Sequence, residues 1–450
     1  MDAAETAQAA GGDRHRHAGQ GAGEALLVLT LGMAPEDAAA RAAIRDPGRF
    51  RYHPLGAYSG VADPEQCRPR EILPALVAAA RRLAPAPCAV LAFDDYPASP
   101  LAALLAADLG LPGPPVEASL ICHHKYWSRL KQKEAAPEAV PPFQLIELDR
   151  PYGPGELALG FPFWMKPIKS SLSHLGFRID SAAAFEHARA LARRQLPGYA
   201  AAFNDMLRLA PGLAGAGLPP AKGDGLIAEG LIGGRQCTLE AFFHRGAMRL
   251  LGITDSICFP DHPSFSRFVY PSALPQAVQD RMTAIAERVM RHVGFDDGQF
   301  CLEFFYEERS RRIWLIEINP RFCPQFSDLY AKVDGTSGHQ VLVELAAGLM
   351  PSFRRGEGPC RIAASFVRRR FADATVVRAP GESDLARLAD ALPDCHVELL
   401  AQEGDRLSEL AQDSYSFRYA VINLGAADAA ELTARYALAC RLLPYAFAPD

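Results

Sequence analysis

The chain of 450 residues is 49% hydrophobic and 22% charged, a balance that fills cores, and a length that predicts about two to four packed units. A net charge of −5 and a pI near 6.2 exclude a general attraction to nucleic acid or to an anionic membrane surface. No apolar run reaches the roughly 18–20 residues that span a bilayer, and the first 25 residues lack the apolar core of a signal peptide, so a cytoplasmic protein is expected.

Residues 1–24 are rich in Ala, Gly and His and hold too little apolar surface to offset the entropy of ordering, which predicts a disordered tail. His15 and His17 are solvated in that reading, because a metal site needs further ligands held rigidly. From Ala25 the text alternates. ALLVLTLG is a strand, ILPALVAAARRLA a helix, CAVLAFDDYP a strand and SPLAALLAADLG a helix closing at Gly110. Such alternation makes a parallel sheet covered by helices, a unit placed over residues 25–118. Asp94 and Asp95 read as a strand-end turn, with Asp95 at most lining a cleft.

Two Pro-rich connectors, LPGPPVEAS and EAAPEAVPPF, flank a single expected helix, SLICHHKYWSRLKQK. GFPFWMKPIKSSLSHLGFRID is strand, polar loop, strand, followed by the helix SAAAFEHARALARRQL; together they predict a small lid over about 152–228. Strands LIAEGLI, QCTLEAFFH and MRLLGITDSI come next. The helix QAVQDRMTAIAERVMRHVGF then places Val278, Met282, Ile285, Val289 and Val293 on one stripe. Residues 353–450 contain further strands and a helix and are expected as a C-terminal lobe without a catalytic motif. The ten cysteines show no C-x-x-C pair or zinc spacing and read as reduced core thiols. Trp164 and Trp314 read as core packing.

The most informative text is FCLEFFYEERSRRIWLIEINPRF, two apolar strands joined by a charged turn. With the turn centred on Ser310, Phe305 faces Leu315 and Glu303 faces Glu317, since paired numbers in an antiparallel ladder sum to a constant. Asn319 points to the same side. Two opposed carboxylates on apolar strands repel and call for a cation, and hard oxygen ligands of this kind suit Mg²⁺. Arg321 adds a fork of donors for phosphate or carboxylate. The alternative is a solvated face, or glutamates paired with Arg311 and Arg321.

With a glutamate on the preceding strand, E-I-N-P-R resembles the ATP-grasp superfamily, on its carboxylate–amine ligase side, and the likeness runs over roughly residues 25–350. It implies an α/β and α+β fold: an N-terminal parallel-sheet domain, then an ATP-grasp domain over 119–352 with a small lid and a larger mixed-sheet subdomain. The matching phosphate-binding lysines are Lys125, in CHHKYWSR, and Lys166, in FWMKPIKSSLSHLG. The hinge matches Glu229 to Gln236, where Leu231 and Ile232 would meet adenine and Gln236 replaces an acid that binds ribose. The metal ligands match Glu303, Glu317 and Asn319, and Arg321 with Lys166 would act on the transferring phosphoryl group.

The resemblance thus implies ATP and Mg²⁺, with Mn²⁺ as an alternative, and a small carboxylic acid and an amine as substrates. A non-catalytic ATP-binding sensor, or a ligase with another nucleophile, stays open, as does a homodimer. Departures are plain. The lid loop has Lys169, Ser170, Ser171 and Ser173 where many relatives have glycines whose N–H groups approach phosphate. FCPQFSDLY after the arginine lacks the stretch of biotin carboxylases, which argues against bicarbonate and biotin. Arg267 is read equally as a substrate-carboxylate ligand or a surface residue, and His262 and Tyr270 as structural.

Overall fold

The computed structural model describes residues 25–32, 44–153, 155–170, 174–260, 262–410 and 416–448. The tail expected over 1–24, with His15 and His17, and the lid-loop Ser171 and Ser173 lie outside the described residues. The first unit holds β1 (Leu26–Leu31), β2 (Phe50–Pro54), α1 (Tyr58–Ala62), α2 (Pro69–Arg81), β3 (Ala89–Ala92) and α3 (Ala98–Leu109). Its three strands are parallel in the order β2-β1-β3. Sequence patterning does not reveal β2, because FRYHP is an edge strand with only one fully buried residue, Phe50. Helix α3 ends as expected at Gly110, whose left-handed φ of 68° suits glycine.

The helix expected over SLICHHKYWSRLKQK is two helices, α4 (Val116–His123) and α5 (Lys125–Ala135). His124 between them leaves the helical region at φ −91° and ψ 94°, and its Nδ1 accepts the Trp127 N–H at 3.1 Å. The imidazole thereby caps α5, and Lys125 becomes the first residue of a new helix rather than the middle of an old one.

The lid is a four-stranded antiparallel sheet of β4 (Phe143–Ile146), β5 (Phe163–Pro167), β6 (Phe177–Ile179) and β7 (Leu226–Gly230), ordered β4-β7-β5-β6. Helix α6 (Ala182–Arg208) lies between β6 and β7 in the chain and is capped by Ser181, whose Oγ accepts the Ala184 N–H. It covers the lid sheet with Phe185, Ala188, Ala192 and Leu196.

Most of the remaining strands build one eight-stranded sheet. Its members are β8 (Arg235–His244), β9 (Ala247–Cys258), β10 (Phe265–Tyr270), and, after α7 (Gln276–Val293), β11 (Gly298–Glu307) and β12 (Arg312–Asn319). Helices α8 (Pro324–Asp334) and α9 (Gly338–Ala346) precede β13 (Ile362–Arg370), β14 (Thr375–Arg378), α10 (Glu382–Ala391), β15 (His396–Leu399), β16 (Phe417–Ala426), α11 (Ala429–Leu442) and β17 (Ala446–Ala448). The order is β12-β11-β8-β9-β10-β13-β16-β15. Strands β13, β15 and β16 therefore continue the sheet begun at β8, because β13 pairs with β10 along four residues, whereas β14 and β17 pair as a separate two-stranded sheet.

One face of this sheet packs on α7 through Val278, Met282, Ile285 and Val289, each about 1.5–3 kcal/mol better off out of water. The opposite face is covered over part of its width by α8, with Phe242, Phe268, Phe326 and Tyr330 in contact. Trp164 and Trp314 correct the expectation of core packing: both are partly exposed, and Trp314 lies under the Arg312 guanidinium at 4.1 Å. All ten cysteines are free, five buried and five partly so. Among the described residues no helix is long and apolar enough to cross a membrane.

Candidate functional site

The hairpin of β11 and β12 begins with Glu307 opposite Arg312, and Phe305 faces Trp314 rather than the expected Leu315. A bulge then adds Ile316 to β12, so that Glu303 does fall opposite Glu317. The constant-sum rule reached the right pair through a turn one residue off, and the bulge supplied the difference. A buried arginine holds that irregularity. Arg129 on α5 donates through Nη1 to the Leu315 carbonyl at 2.6 Å and through Nη2 to the Ile316 carbonyl at 2.8 Å. Its Nε donates to Glu229 Oε1 at 2.8 Å.

Glu229, at the end of β7, is buried between Arg129 and Lys166, whose Nζ lies 3.0 Å from its Oε2. Burial alone would raise its carboxyl, but the two cations outweigh it and hold it at about 2. Glu317 sits beside the same framework, 3.3 Å from Lys125 Nζ and 3.8 Å from Lys166 Nζ. Burial opposes its charge as well, yet Lys125, Lys166 and Lys169 keep its carboxyl below the usual range.

Among the described residues no cation makes an ion pair with Glu303, and Arg321 and Lys166 act on it only from further off. Burial and the facing Glu317 push its carboxyl above the usual range, and its oxygens are met by amides, Gln236 Nε2 at 3.1 Å and Asn319 Nδ2 at 3.4 Å. With its nitrogen turned to Glu303, Asn319 keeps its side-chain oxygen for another partner. The hinge after Glu229 leaves Leu231 41% exposed. Gly234, at φ 136°, runs so close to the Tyr306 and Glu307 backbone that a Cβ would collide with it.

Arg321, just past β12, points its Nη2 at Asp95 Oδ2 across 3.4 Å. Burial disfavours the Asp95 charge, but Arg321, Lys169 and His123 together hold its carboxyl well below the usual range. The turn bearing Arg321 is fixed from beneath: Glu240 on β8 accepts the Cys323 N–H at 2.9 Å. Glu240 is fully buried, and burial pushes it up to about 7.

The fold thus brings Lys125, Lys166, Glu229, Gln236, Glu303, Glu317, Asn319 and Arg321 to one cleft between the first unit, the lid and the large sheet. Arg267 is not among them. Thr254 faces Thr238, which faces Glu303, and Ser256 faces Phe268, so Arg267 beside Phe268 turns to the opposite face of the sheet and to solvent. Tyr270 is structural as read, donating to Asp334 at 2.7 Å. Sequence reasoning missed Arg129 and His123; it gave Asp95 at most a place lining a cleft and Lys169 a place in the lid loop, without a partner for either. A signal existed for Arg129, one helical turn after Lys125 in KYWSR and hence on its face. None existed for His123, which tertiary packing alone carries to Lys169.

Residues 159–327 match the ATP-grasp domain family. A search of curated protein sequences gives no match. Among solved structures the chain is similar to an L-amino acid ligase from Bacillus licheniformis, at 17% identity and TM-score 0.67, over 94% of this chain and 99% of that one. It is similar to a phosphoribosylglycinamide synthetase from Anaerococcus prevotii at 12% identity and TM-score 0.61, over 94% and 100%. A biotin carboxylase from Campylobacter jejuni, solved with β-γ-ATP, aligns at 14% identity and TM-score 0.62, over 94% and 92%. At such identities the likeness is one of fold: a mixed α/β ATP-grasp architecture along nearly the whole chain.

Proposed function

The chain carries an ATP-grasp domain, and from that premise we propose that it is an ATP-dependent ligase joining a carboxylic acid to an amine with release of ADP and phosphate. The observation that carries this reading is the pairing of Glu303 with Glu317 beside Lys125 and Lys166. Opposed carboxylates next to two lysines make a poor structural core and a good cradle for a metal-bound triphosphate.

Magnesium fits the residues present. Glu303, Glu317 and the side-chain oxygen of Asn319 are hard donors on one side of the hairpin, and a cation there would relieve the repulsion that lifts Glu303. Two carboxylates and one amide oxygen would leave the rest of a magnesium shell to water and phosphate oxygens. Manganese shares the oxygen preference. Bound there, the metal would neutralise charge on the phosphate oxygens.

The chain's own groups do the rest. Lys125 and Lys166 hold the phosphates, Leu231 and Ile232 offer apolar and backbone contact to adenine, and Gln236 faces the ribose without the acid common in relatives. A carboxylate oxygen of the substrate attacks the γ-phosphorus, the bond to the β–γ bridging oxygen breaks, and ADP leaves. Arg321 steadies the resulting acyl phosphate. The amine then attacks the acyl carbon, phosphate departs, and the nitrogen loses a proton. Catalysis here is positioning and preorganised charge, with water kept out by the lid.

The test is phosphate release from Mg·ATP across pools of carboxylic acids with amines, followed by mass spectrometry of the product. Release that needs both an acid and an amine, and a product joined by a C–N bond, supports the reading. Binding of Mg·ATP without turnover on any pool would instead favour a sensor, and a thioester or ester product a different nucleophile.

A further inference from the structure

Lys169 opens the lid loop three residues after Lys166 and is 3% exposed. Its backbone is pinned: its N–H donates to the Gly223 carbonyl at 3.3 Å, and the next carbonyl, that of Ser170, accepts from Lys125 Nζ at 2.8 Å. The side chain leaves the lid and crosses to residues of the other wall of the cleft. There Nζ lies 3.1 Å from His123 Nδ1 and 4.5 Å from the centre of the Tyr96 ring.

Among the described residues no carboxylate makes an ion pair with this buried cation, and its neighbours include Lys125 and Arg321. Burial comes first among the causes that bring its amine down to about 8, with Asp95 pulling the other way. Burial, and then Lys169, hold the His123 imidazole well below its usual range, and among the described residues its Nε2 has no hydrogen-bond partner. An imidazole and an aromatic face are weak substitutes for an anion. The four-carbon stem of lysine is flexible, and among the described residues His123 Nδ1 is the one hydrogen-bond acceptor that meets its ammonium group.

The lid loop is where glycine-rich relatives offer backbone N–H groups to phosphate, and this chain has Lys169 and Ser170 there instead. Resting on the ligase reading above, we propose that Lys169 is a third triphosphate-binding lysine, parked on His123 and Tyr96 in the free protein and delivered to the γ-phosphate when Mg·ATP binds. It forms no bond to phosphorus and transfers no proton. It replaces the missing backbone donors with one mobile charge, and its exchange of His123 for phosphate ties lid closure to the first unit.

Calorimetric titration of the full chain with Mg·AMPPNP and with Mg·ADP tests this, since only the first carries a γ-phosphoryl group. Lys169→Met is expected to weaken Mg·AMPPNP about 10- to 100-fold, the size of a charge-assisted hydrogen bond, and to leave Mg·ADP within about twofold. Lys169→Arg recovers part of the loss. Should the methionine variant not fold, Lys169→Gln, which keeps a donor but no charge, carries the same comparison. Equal weakening of both nucleotides, or of neither, overturns the proposal and leaves the ligase reading standing. A wild-type chain that binds neither nucleotide overturns both.

Discussion

Two glutamates within one cleft, one buried and one half-buried, behave in opposite ways. Glu229 is saturated by Arg129 and Lys166 and held at about 2, whereas Glu303 faces another carboxylate, is hydrogen-bonded by the amides of Gln236 and Asn319, and is pushed upward despite Arg321 and Lys166 further off. The first arrangement is a frame: it fastens α5 to β7 and, through Arg129, to the bulge in β12. The second is a frustrated contact that the frame holds in place. The contrast teaches that the number of charges in a pocket says little, while their complementarity separates structural from functional acid.

The strongest way to break the comparison is Glu317→Ala. With its substrates and Mg·ATP present, turnover should fall roughly ten-thousandfold or more, about 5.5 kcal/mol of transition-state stabilisation, with the melting temperature little changed. Substantial remaining phosphate release would count against the site. Next in size is Glu229→Gln, which strips the counter-charge from buried Arg129 and should cost about 4 kcal/mol in a denaturant titration at pH 7. Because Glu229 titrates at about 2 in the fold against an ordinary 4.5, its contribution is present above the ordinary value and lost as pH falls toward 2. The variant's stability should therefore lose part of its acid sensitivity in that window.

Glu240 runs the other way. Titrating at about 7 against an ordinary 4.5, it makes the fold take up more protons than the unfolded chain between those values, so stability declines as pH climbs through them. Glu240→Gln should be about 3 kcal/mol more stable than wild type at pH 8, relative to pH 4.5, and an unchanged pH profile would remove Glu240 as its source. The smallest effect sharpens the comparison most. Glu303→Gln should raise stability without nucleotide by about 1 kcal/mol, by ending the repulsion with Glu317, yet lose the extra thermal protection that Mg·ADP gives wild type. Destabilisation of the nucleotide-free variant would mean that Glu303 belongs to the frame.

Much of this was readable beforehand. The apolar runs of β11 and β12 identify two strands and the stripe on α7 the face that helix buries, because apolar patterning reports which residues leave water. Ladder arithmetic reached the opposed glutamates only because the bulge offset a register one residue out. The bulge at Ile316, the break at His124 and the edge strand β2 were not readable, since each depends on a partner distant in sequence or on a polar strand without a periodic signal.

By itself the sequence determined most element types, because these follow from local periodicity, while the side chains proposed to hold phosphate and a divalent cation came from residue chemistry on the hairpin and from the ATP-grasp resemblance. Tertiary structure alone decided which acid is neutralised and which is left in conflict. It also turned Arg267 to the opposite face and brought Asp95, His123 and Lys169 to the cleft from separate units. Electrostatic environment is a sum over neighbours in space, and a linear text carries only neighbours in order.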